Sequence, residues 1–293
     1  MIKKCLFPAA GYGTRFLPAT KAVPKEMLPI LTKPLLQYGV EEALSAGISN
    51  MAIVTGRGKR SIEDHFDNAF ELESQLSGTT KEYYLDEIKD VIEKATFTYV
   101  RQQKMLGLGH AILTGEPLIG KEPFAVILAD DLCDCITNGV TSQLIEIYKK
   151  YQCSVIAIEE ISSTQTENYG IISGDLIDGT NNTFRVTNMV EKPNQHDLMK
   201  FAENSVDVNK MSSFMGIIGR YILTPDIFDI LKKIKADNGN EIQITDALLS
   251  QAKQGKVIAY KFNGKRFDCG SVKGFLDATN HFAKKMGYSE DIL

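Results

Sequence analysis

The sequence predicts an α/β fold in which helices flank a mixed, mostly parallel central sheet. Short segments rich in β-formers alternate with segments of helical spacing along most of the 293 residues. The segment 124–129 is apolar throughout, as expected of a strand covered on both faces. The pattern is not interrupted by a repeat, a low-complexity tract or a long linker, which favours one continuous domain.

Strands and helices alternate in order through the first half of the chain. Leu35, Val40 and Leu44 recur at helical spacing, and Gly47 stands where that helix should end. Successive strands joined by helices run parallel, which predicts a Rossmann-like arrangement. The predicted strands lie at 5–7, 51–55, 96–100 and 124–129, and the predicted helices lie at 35–44, at one or two places within 61–93, and from His110 onward.

The second half continues this alternation and adds a small β-rich insertion, in which the segments 169–172 and 185–190 are expected to pair antiparallel. We expect two lobes of one domain to face a cleft. The remaining predicted elements are a helix at 140–151, strands at 154–158, 215–220 and 257–262, helices at 225–235 and 243–253, and a last helix at 271–286.

A loop rich in glycine, proline and cations follows the first strand. Gly11 and Gly13 lack a Cβ atom, so the backbone there can turn tightly and let an anion approach its N–H groups. Arg15, Lys21 and Lys25 supply fixed cations suited to a polyphosphate. Four prolines between positions 8 and 29 exclude a long helix. The sequence therefore predicts a nucleotide-phosphate site in this loop.

Two better-known phosphate loops do not fit this segment. A dinucleotide-binding loop needs a third glycine where this chain has Phe16, and the pattern G-x-x-x-x-G-K-[ST] does not occur in the sequence. Neither hydride transfer on a nicotinamide cofactor nor hydrolysis on a P-loop is therefore favoured.

Charge, cysteine content and hydropathy indicate which partners and which compartment to expect. The net charge is −4, which argues against a nucleic-acid binder, although six Lys/Arg face a single acid within residues 1–33. Five cysteines without regular spacing are expected to be reduced thiols. No apolar run reaches the length of about 18 residues that a membrane span needs. We expect a cytoplasmic protein without membrane or nucleic-acid partners.

Two acidic positions at predicted strand ends are candidate Mg²⁺ ligands. Asp130 follows the apolar strand at 124–129, and Asp268 lies between a strand and the last helix. Mg²⁺ bound to a nucleotide takes one or two carboxylates together with phosphate oxygens and water. Asp131 follows directly and Asp134 follows after Leu132 and Cys133, so a simple polar turn is the alternative at Asp130.

Glu191 and Lys192 close a β segment immediately before Pro193. The proline turns the chain, which allows both side chains to reach a cleft. Glu191 can accept hydrogen bonds from sugar hydroxyls while Lys192 neutralises a phosphate; a surface ion pair is the alternative. A phosphorylated substrate attacking a triphosphate needs positioning and charge neutralisation, and no protein nucleophile.

Motifs over nearly the whole chain resemble those of the sugar-phosphate nucleotidyltransferases. The segment 16–29 is similar to the bacterial members that use UTP and glucose 1-phosphate. The matching stretches are Gly-Tyr-Gly-Thr-Arg at 11–15, Pro-Lys-Glu-Met-Leu-Pro at 24–29, Val-Arg-Gln at 100–102, Leu-Gly-Leu-Gly-His-Ala at 106–111, Tyr-Gly at 169–170, Val-Glu-Lys-Pro at 190–193, Glu-Ile-Gln-Ile-Thr-Asp-Ala at 241–247 and Arg-Phe-Asp-Cys-Gly-Ser at 266–271.

The resemblance implies a reaction whose products are UDP-glucose and pyrophosphate. It also implies that the protein is a homodimer or homotetramer, and it implies a role for each motif. It implies a nucleotide-binding half at about 1–150, a sugar-binding half at about 151–270 and a C-terminal helix at about 271–293. For the nucleotide, the resemblance implies that the base is bound by Ala10, Gly11, Gln102 and Gly107 and that the triphosphate is bound by Arg15 and Lys25. For the sugar, it implies that Gly170 and Glu191 bind the hydroxyls and that Lys192 binds the phosphate. For Mg²⁺, it implies that the ligands are Asp130 and Asp268.

Three alternatives stay open at this point. Family members have a proline before the metal aspartate, whereas this chain has Ala129 there and a second acid after it, so Asp131 competes with Asp130. The nucleotide could be dTTP, since thymine differs from uracil by one methyl group. A catalytically silent relative that senses nucleotide is the third possibility.

Overall fold

The computed structural model describes residues 1–203, 213–236 and 241–288 around a central sheet. The strands are β1 Lys4–Pro8, β2 Pro29–Ile30, β3 Lys33–Pro34, β4 Asn50–Thr55, β5 Thr96–Arg101, β6 Phe124–Ile127, β7 Asp131–Asp134, β8 Ser154–Ser162, β9 Gly170–Leu176, β10 Thr183–Glu191, β11 Ser213–Leu223, β12 Val257–Lys261 and β13 Lys265–Asp268. The helices are α1 Leu35–Ser45, α2 Arg60–His65, α3 Phe70–Leu76, α4 Asp86–Lys94, α5 Gly107–Thr114, α6 Glu116–Ile119, α7 Val140–Tyr151, α8 Gln195–Glu203, α9 Asp226–Leu231, α10 Ile244–Ala252 and α11 Val272–Lys285.

The central sheet has the order β5-β4-β1-β6-β11-β8-β12-β10-β9. The first four of these strands are parallel, β11 is antiparallel to both of its main neighbours, and β8 and β12 are again parallel. The predicted mixed sheet is confirmed. The predicted β-rich insertion is the antiparallel pair of β9 and β10, which extends the same sheet instead of forming one of its own.

The strand order reverses at β1, which lies between β4 and β6. The glycine-rich loop, Gln102 and Asp130 follow three of the parallel strands, so they meet at the carboxyl edge of the sheet. This is where open α/β sheets bind their ligands.

Alternating side chains of β1 anchor the two faces of the core. Leu6 packs with Val126 on one face, while Cys5 and Phe7 belong to the cluster on the other, and all four side chains are buried. Helices α5, α9 and α10 cover the first face, and α1 and α7 cover the second. Because both faces are packed, the strand ends are held in fixed positions relative to one another.

The structure differs from the sequence-based elements in a few places. The region 61–93 holds α2, α3 and α4, with the expected break at 77–80. Helix α8 and the two-stranded sheet of β7 and β13 were not predicted. Helix α5 begins at Gly107 instead of His110. The glycines are needed there for close packing, since a Cβ on Gly109 would lie 2.6 Å from the carbonyl oxygen of Ile242.

The last helix is α11, and the Ser271 hydroxyl caps it by accepting a hydrogen bond from the N–H of Gly274 at 3.1 Å. Of the predicted C-terminal segment 271–293, residues 289–293 lie outside the described residues. None of the helices in the described ranges has both the length and the apolar character needed to cross a bilayer.

Candidate active site

A cleft of about 760 Å³ opens at the carboxyl edge of the sheet. All twelve residues predicted for the site line this cleft, although they come from segments spread over more than 250 residues of sequence. They are Ala10, Gly11, Gly13, Arg15, Lys25, Gln102, Gly107, Asp130, Gly170, Glu191, Lys192 and Asp268.

Gly13 is the residue that folds the glycine-rich loop back on itself. Its φ of +67° lies in the left-handed region, and an added Cβ would lie 2.9 Å from Cβ of Lys25. The Thr20 hydroxyl donates to the carbonyl oxygen of Gly13 at 2.7 Å. The loop is thus fixed with Lys25 against its glycine turn.

Lys25 and Asp130 form an ion pair at the floor of the cleft, with Nζ 2.6 Å from Oδ2. Burial would lower the pKa of Lys25, but the carboxylates of Asp130 and Glu26 raise it above its ordinary value. Burial would also raise the pKa of Asp130, and the Lys25 ammonium holds it below its ordinary value instead. Both groups are therefore charged at neutral pH.

Three charged side chains converge on Gly270. A Cβ there would lie 3.0 Å from Oδ1 of Asp268, 3.1 Å from Oδ2 of Asp130 and 3.3 Å from a guanidinium nitrogen of Arg15. Burial and the nearby carboxylates of Asp131 and Asp130 raise the pKa of Asp268 above its ordinary value. Burial therefore disfavours the charged form of Asp268, and the two neighbouring carboxylates add to this effect.

Asp131 also borders the cleft, but its two carboxylate oxygens are engaged by the protein. Oδ2 accepts a hydrogen bond from the N–H of Gly219 at 2.6 Å, and Oδ1 accepts one from Nε of Arg266 at 2.6 Å. Arg266 in turn donates to Glu159 at 2.6 Å and to the Tyr169 hydroxyl at 2.9 Å. Asp131 is thus a member of a buried structural network, and Asp130 is the freer of the two acids.

The two candidate Mg²⁺ ligands fit that ion. Asp130 and Asp268 place carboxylate oxygens around one point beside Gly270, and carboxylate oxygen is the ligand that Mg²⁺ prefers. Among the described residues, no group of three or more His, Cys, Asp or Glu side chains could hold a metal. Two carboxylates supplemented by phosphate oxygens are the arrangement that Mg²⁺ adopts on nucleotides.

Glu191 and Lys192 both reach the opposite side of the cleft. The Thr245 hydroxyl donates to Oε2 of Glu191 at 2.5 Å, and a Cβ on Gly170 would lie 3.1 Å from the same oxygen. Lys192 has a φ of +40°, and its N–H donates to the carbonyl oxygen of Tyr169 at 3.0 Å. A non-glycine residue held in this conformation is costly, and such residues concentrate at functional sites.

Gln102 lies at the third side of the cleft, near Ala10 and Gly107. Its backbone N–H donates to the carbonyl oxygen of Thr55 at 2.9 Å, and only 4% of the residue is exposed. Its side-chain Nε2 lies 2.8 Å from Nδ1 of His110 and 3.4 Å from the carbonyl oxygen of Gly107. The amide is therefore held in a defined orientation.

A buried ion pair stabilises the part of the glycine-rich loop that carries Lys25. Lys59 Nζ lies 2.6 Å from Oε2 of Glu26, and both side chains are almost fully buried. Burial raises the pKa of Glu26 although Lys59 and Lys25 oppose it, and its Oε1 has no hydrogen-bond partner among the described residues. The pair fixes the turn that carries Lys25.

Sequence reasoning assigned no role to Thr245, His110 or Glu26. Each of these residues lies inside one of the matching stretches, at 241–247, 106–111 and 24–29, so the sequence indicated the segment but not the residue. The contacts that give these residues a role join positions far apart in sequence, and spacing alone could not reveal them.

The chain is also similar to known proteins. The sequence pattern of the nucleotidyl transferase family matches residues 6–285. A UTP–glucose-1-phosphate uridylyltransferase of Pseudomonas aeruginosa is 57% identical over 290 residues, covering 97% of this chain and 98% of the relative.

Two solved structures are also similar. An apo UDP-glucose pyrophosphorylase superposes with a TM-score of 0.88 at 56% identity, covering 98% of this chain and all of the other. A UDP-glucose pyrophosphorylase complexed with UDP-glucose superposes with a TM-score of 0.84 at 54% identity, covering 97% of this chain and all of the other.

Proposed function

The chain belongs to the nucleotidyl transferase family, and we propose that it transfers a uridylyl group from UTP to glucose 1-phosphate. A phosphate oxygen of glucose 1-phosphate attacks the α-phosphorus of UTP, and the bond from that phosphorus to the β-phosphate oxygen breaks. UDP-glucose forms and pyrophosphate leaves. The convergence of all twelve predicted residues on one cleft is the observation that carries this proposal.

On the nucleotide side, the chain supplies backbone groups and cations. Ala10 and Gly11 offer backbone groups to the base, and the turn at Gly13 allows the triphosphate to pass close to the loop. Arg15 and Lys25 bind the triphosphate, where their charges stabilise the negative charge that develops on the leaving pyrophosphate. Lys25 is charged at neutral pH, as this role requires.

On the sugar side, Gly170 and Glu191 hold the glucose hydroxyls and Lys192 holds the phosphate. Glu191 is oriented by Thr245 through Oε2, and its Oε1, which lies 3.5 Å from Nζ of Lys192, can still accept a hydrogen bond from the substrate. Holding the two anions in line converts a reaction between two repelling molecules into one between fixed groups.

Asp130 and Asp268 would hold Mg²⁺ together with phosphate oxygens. The ion, when bound, neutralises phosphate charge and polarises the phosphoryl oxygens. The involvement of Asp131 in the ion pair with Arg266 supports Asp130 as the ligand.

Release of pyrophosphate from UTP, glucose 1-phosphate and Mg²⁺ tests the proposed reaction. Parallel assays with dTTP under identical conditions test the choice of nucleotide. Turnover that prefers UTP is expected. A clear preference for dTTP would change the substrate, and absence of pyrophosphate with every nucleotide would favour a nucleotide-sensing protein.

We also propose a cytoplasmic homodimer or homotetramer. All five cysteines carry free thiols, which is compatible with a reducing compartment. Val272 and Leu276 on α11 are each 56% exposed and offer apolar surface to a second copy. Light scattering of the purified protein would measure the mass; a monomer at micromolar concentration would contradict the oligomer.

A further inference from the structure

We infer that His110 determines pyrimidine specificity by fixing the orientation of the Gln102 side-chain amide. The inference rests on the proposed binding of a uracil base beside Gln102. His110 itself does not line the cleft and stands behind Gln102. It would therefore act as a positioning residue, without touching the nucleotide.

The amide of Gln102 has a donating end and an accepting end, and its neighbours decide which one faces the cleft. Nε2 lies 3.4 Å from the carbonyl oxygen of Gly107, and a carbonyl oxygen can only accept. The opposite orientation would bring two carbonyl oxygens together. At 3.4 Å this contact is long and weak, so it cannot hold the amide alone.

His110 provides the stronger restraint, because its Nδ1 lies only 2.8 Å from Nε2 of Gln102. Since Nε2 donates, Nδ1 must accept, which requires a neutral imidazole with its proton on the other nitrogen. Burial, followed by the charge of Lys104, lowers the pKa of His110 and favours a neutral imidazole. The contact with the Gly107 carbonyl oxygen requires Nε2 of Gln102 to donate, which selects the tautomer whose Nδ1 accepts. Helix α5 carries both His110 and Gly107, so one rigid element sets both contacts.

The consequence is that Oε1 of Gln102 is left for the ligand. It accepts no hydrogen bond within the described part of the chain, and Gln102 borders the cleft. A uracil ring presents a donor at N3, and this donor matches an accepting oxygen. A cytosine ring presents an acceptor at N3 and an amino donor beside it, so it would place two acceptors opposite each other. The orientation of Gln102 thus favours UTP over CTP and does not separate uracil from thymine.

The test measures Kd for UTP and for CTP by calorimetry, and kcat/KM for each nucleotide, in matched variants. His110→Phe fills the ring volume without an acceptor, and His110→Gln keeps an accepting atom. We expect His110→Phe to lower the UTP-to-CTP ratio by about tenfold or more, as the loss of one positioned hydrogen bond implies, with KM for glucose 1-phosphate unchanged. We expect His110→Gln to retain most of the ratio.

Two controls separate positioning from general destabilisation. His65→Phe removes a similar His–Gln contact, to Gln37 at 2.9 Å, away from the cleft, and should leave the ratio unchanged. In a Gln102→Ala background, His110→Phe should change the ratio no further.

An unchanged ratio in His110→Phe would overturn the inference, as would an equal loss in His110→Gln. The Kd values for UTP and CTP report on the role of His110 even if the protein does not catalyse the proposed uridylyl transfer. Wild-type protein that binds UTP without turning it over would refute the proposed reaction while leaving the role of His110 measurable.

Discussion

Lys25 and Asp130 are 105 residues apart in sequence, yet their side chains meet at 2.6 Å at the floor of the cleft. The pair neutralises two groups that we propose to bind different parts of the ligand, Lys25 the triphosphate and Asp130 the cation. When a triphosphate and a cation bind, Lys25 can turn to the phosphate and Asp130 to the cation. The ion pair therefore keeps both charges in place at a low cost of burial until the substrates arrive.

Asp130→Asn should abolish Mg²⁺-dependent turnover in a protein that still folds, and the loss of the charged partner of Lys25 should lower the melting temperature. Asparagine keeps the shape of the side chain and removes the charge that would attract the cation. Pyrophosphate release measured over a range of Mg²⁺ concentrations checks this, together with a thermal melt. Chelation of divalent ions should abolish wild-type turnover, and added Mg²⁺ should restore it.

Asp131→Asn is the matched comparison, because this acid lies next in sequence and faces Arg266 and the N–H of Gly219. Breaking one side of a buried ion pair should destabilise the fold by on the order of 3 kcal/mol. If Asp131→Asn instead abolishes activity in a protein of unchanged stability, while Asp130→Asn stays active, the metal ligand has been misassigned.

Lys192→Ala should impair the use of glucose 1-phosphate far more than the binding of UTP. The Lys192 side chain is 54% exposed and borders the cleft, and its ammonium group makes only a loose contact with Glu191 at 3.5 Å, so it is available to a phosphate. Losing this charge-assisted contact should cost about 2–3 kcal/mol in kcat/KM for the sugar phosphate. Steady-state kinetics with each substrate varied in turn would measure it. Lys192→Arg keeps the charge and should retain part of the activity. Wild-type kinetics in Lys192→Ala would show that Lys192 does not bind the sugar phosphate.

The succession of strands and helices along the chain and the place of the glycine-rich loop could be predicted because both depend on local pattern. Apolar runs mark buried strands, and Gly13 and the prolines mark a loop wherever they occur. The choice between Asp130 and Asp131 could not be made in this way. It depends on Arg266, which lies 135 residues beyond Asp131 and reaches it through the unpredicted pairing of β7 with β13. Such partners are set by tertiary packing, which leaves no signal at either position alone.

Thr245→Val should raise KM for glucose 1-phosphate with little change in KM for UTP. Valine has nearly the same shape as threonine and removes the hydroxyl that donates to Glu191 at 2.5 Å. The carboxylate then loses the contact that orients it toward the sugar, at a cost of about 1–2 kcal/mol. Thr245→Ser keeps the hydroxyl and should remain close to the wild type. Equal rises in both KM values would indicate a general disturbance of the cleft instead.

The buried pair of Glu42 and Arg220 should make the fold sensitive to acid. Glu42 accepts hydrogen bonds from Arg220 at 2.9 Å and from the Thr141 hydroxyl at 2.6 Å. Burial would raise the pKa of Glu42, but these partners hold it below its ordinary value. A carboxyl whose pKa is lower in the folded state contributes stability that is present above its unfolded pKa of about 4.3 and is lost as the pH falls through the folded value.

Glu42→Gln tests this directly, because it leaves Arg220 buried without its charged partner. At neutral pH we expect a loss of about 3–5 kcal/mol in the free energy of unfolding, and the difference from the wild type should shrink as the pH falls below about 4. Urea titrations at several pH values would measure both. Asp64→Asn breaks the exposed pair with Arg60 and should change stability little at any pH. A difference between Glu42→Gln and the wild type that stays constant with pH would show that the charge of Glu42 is not what stabilises the fold.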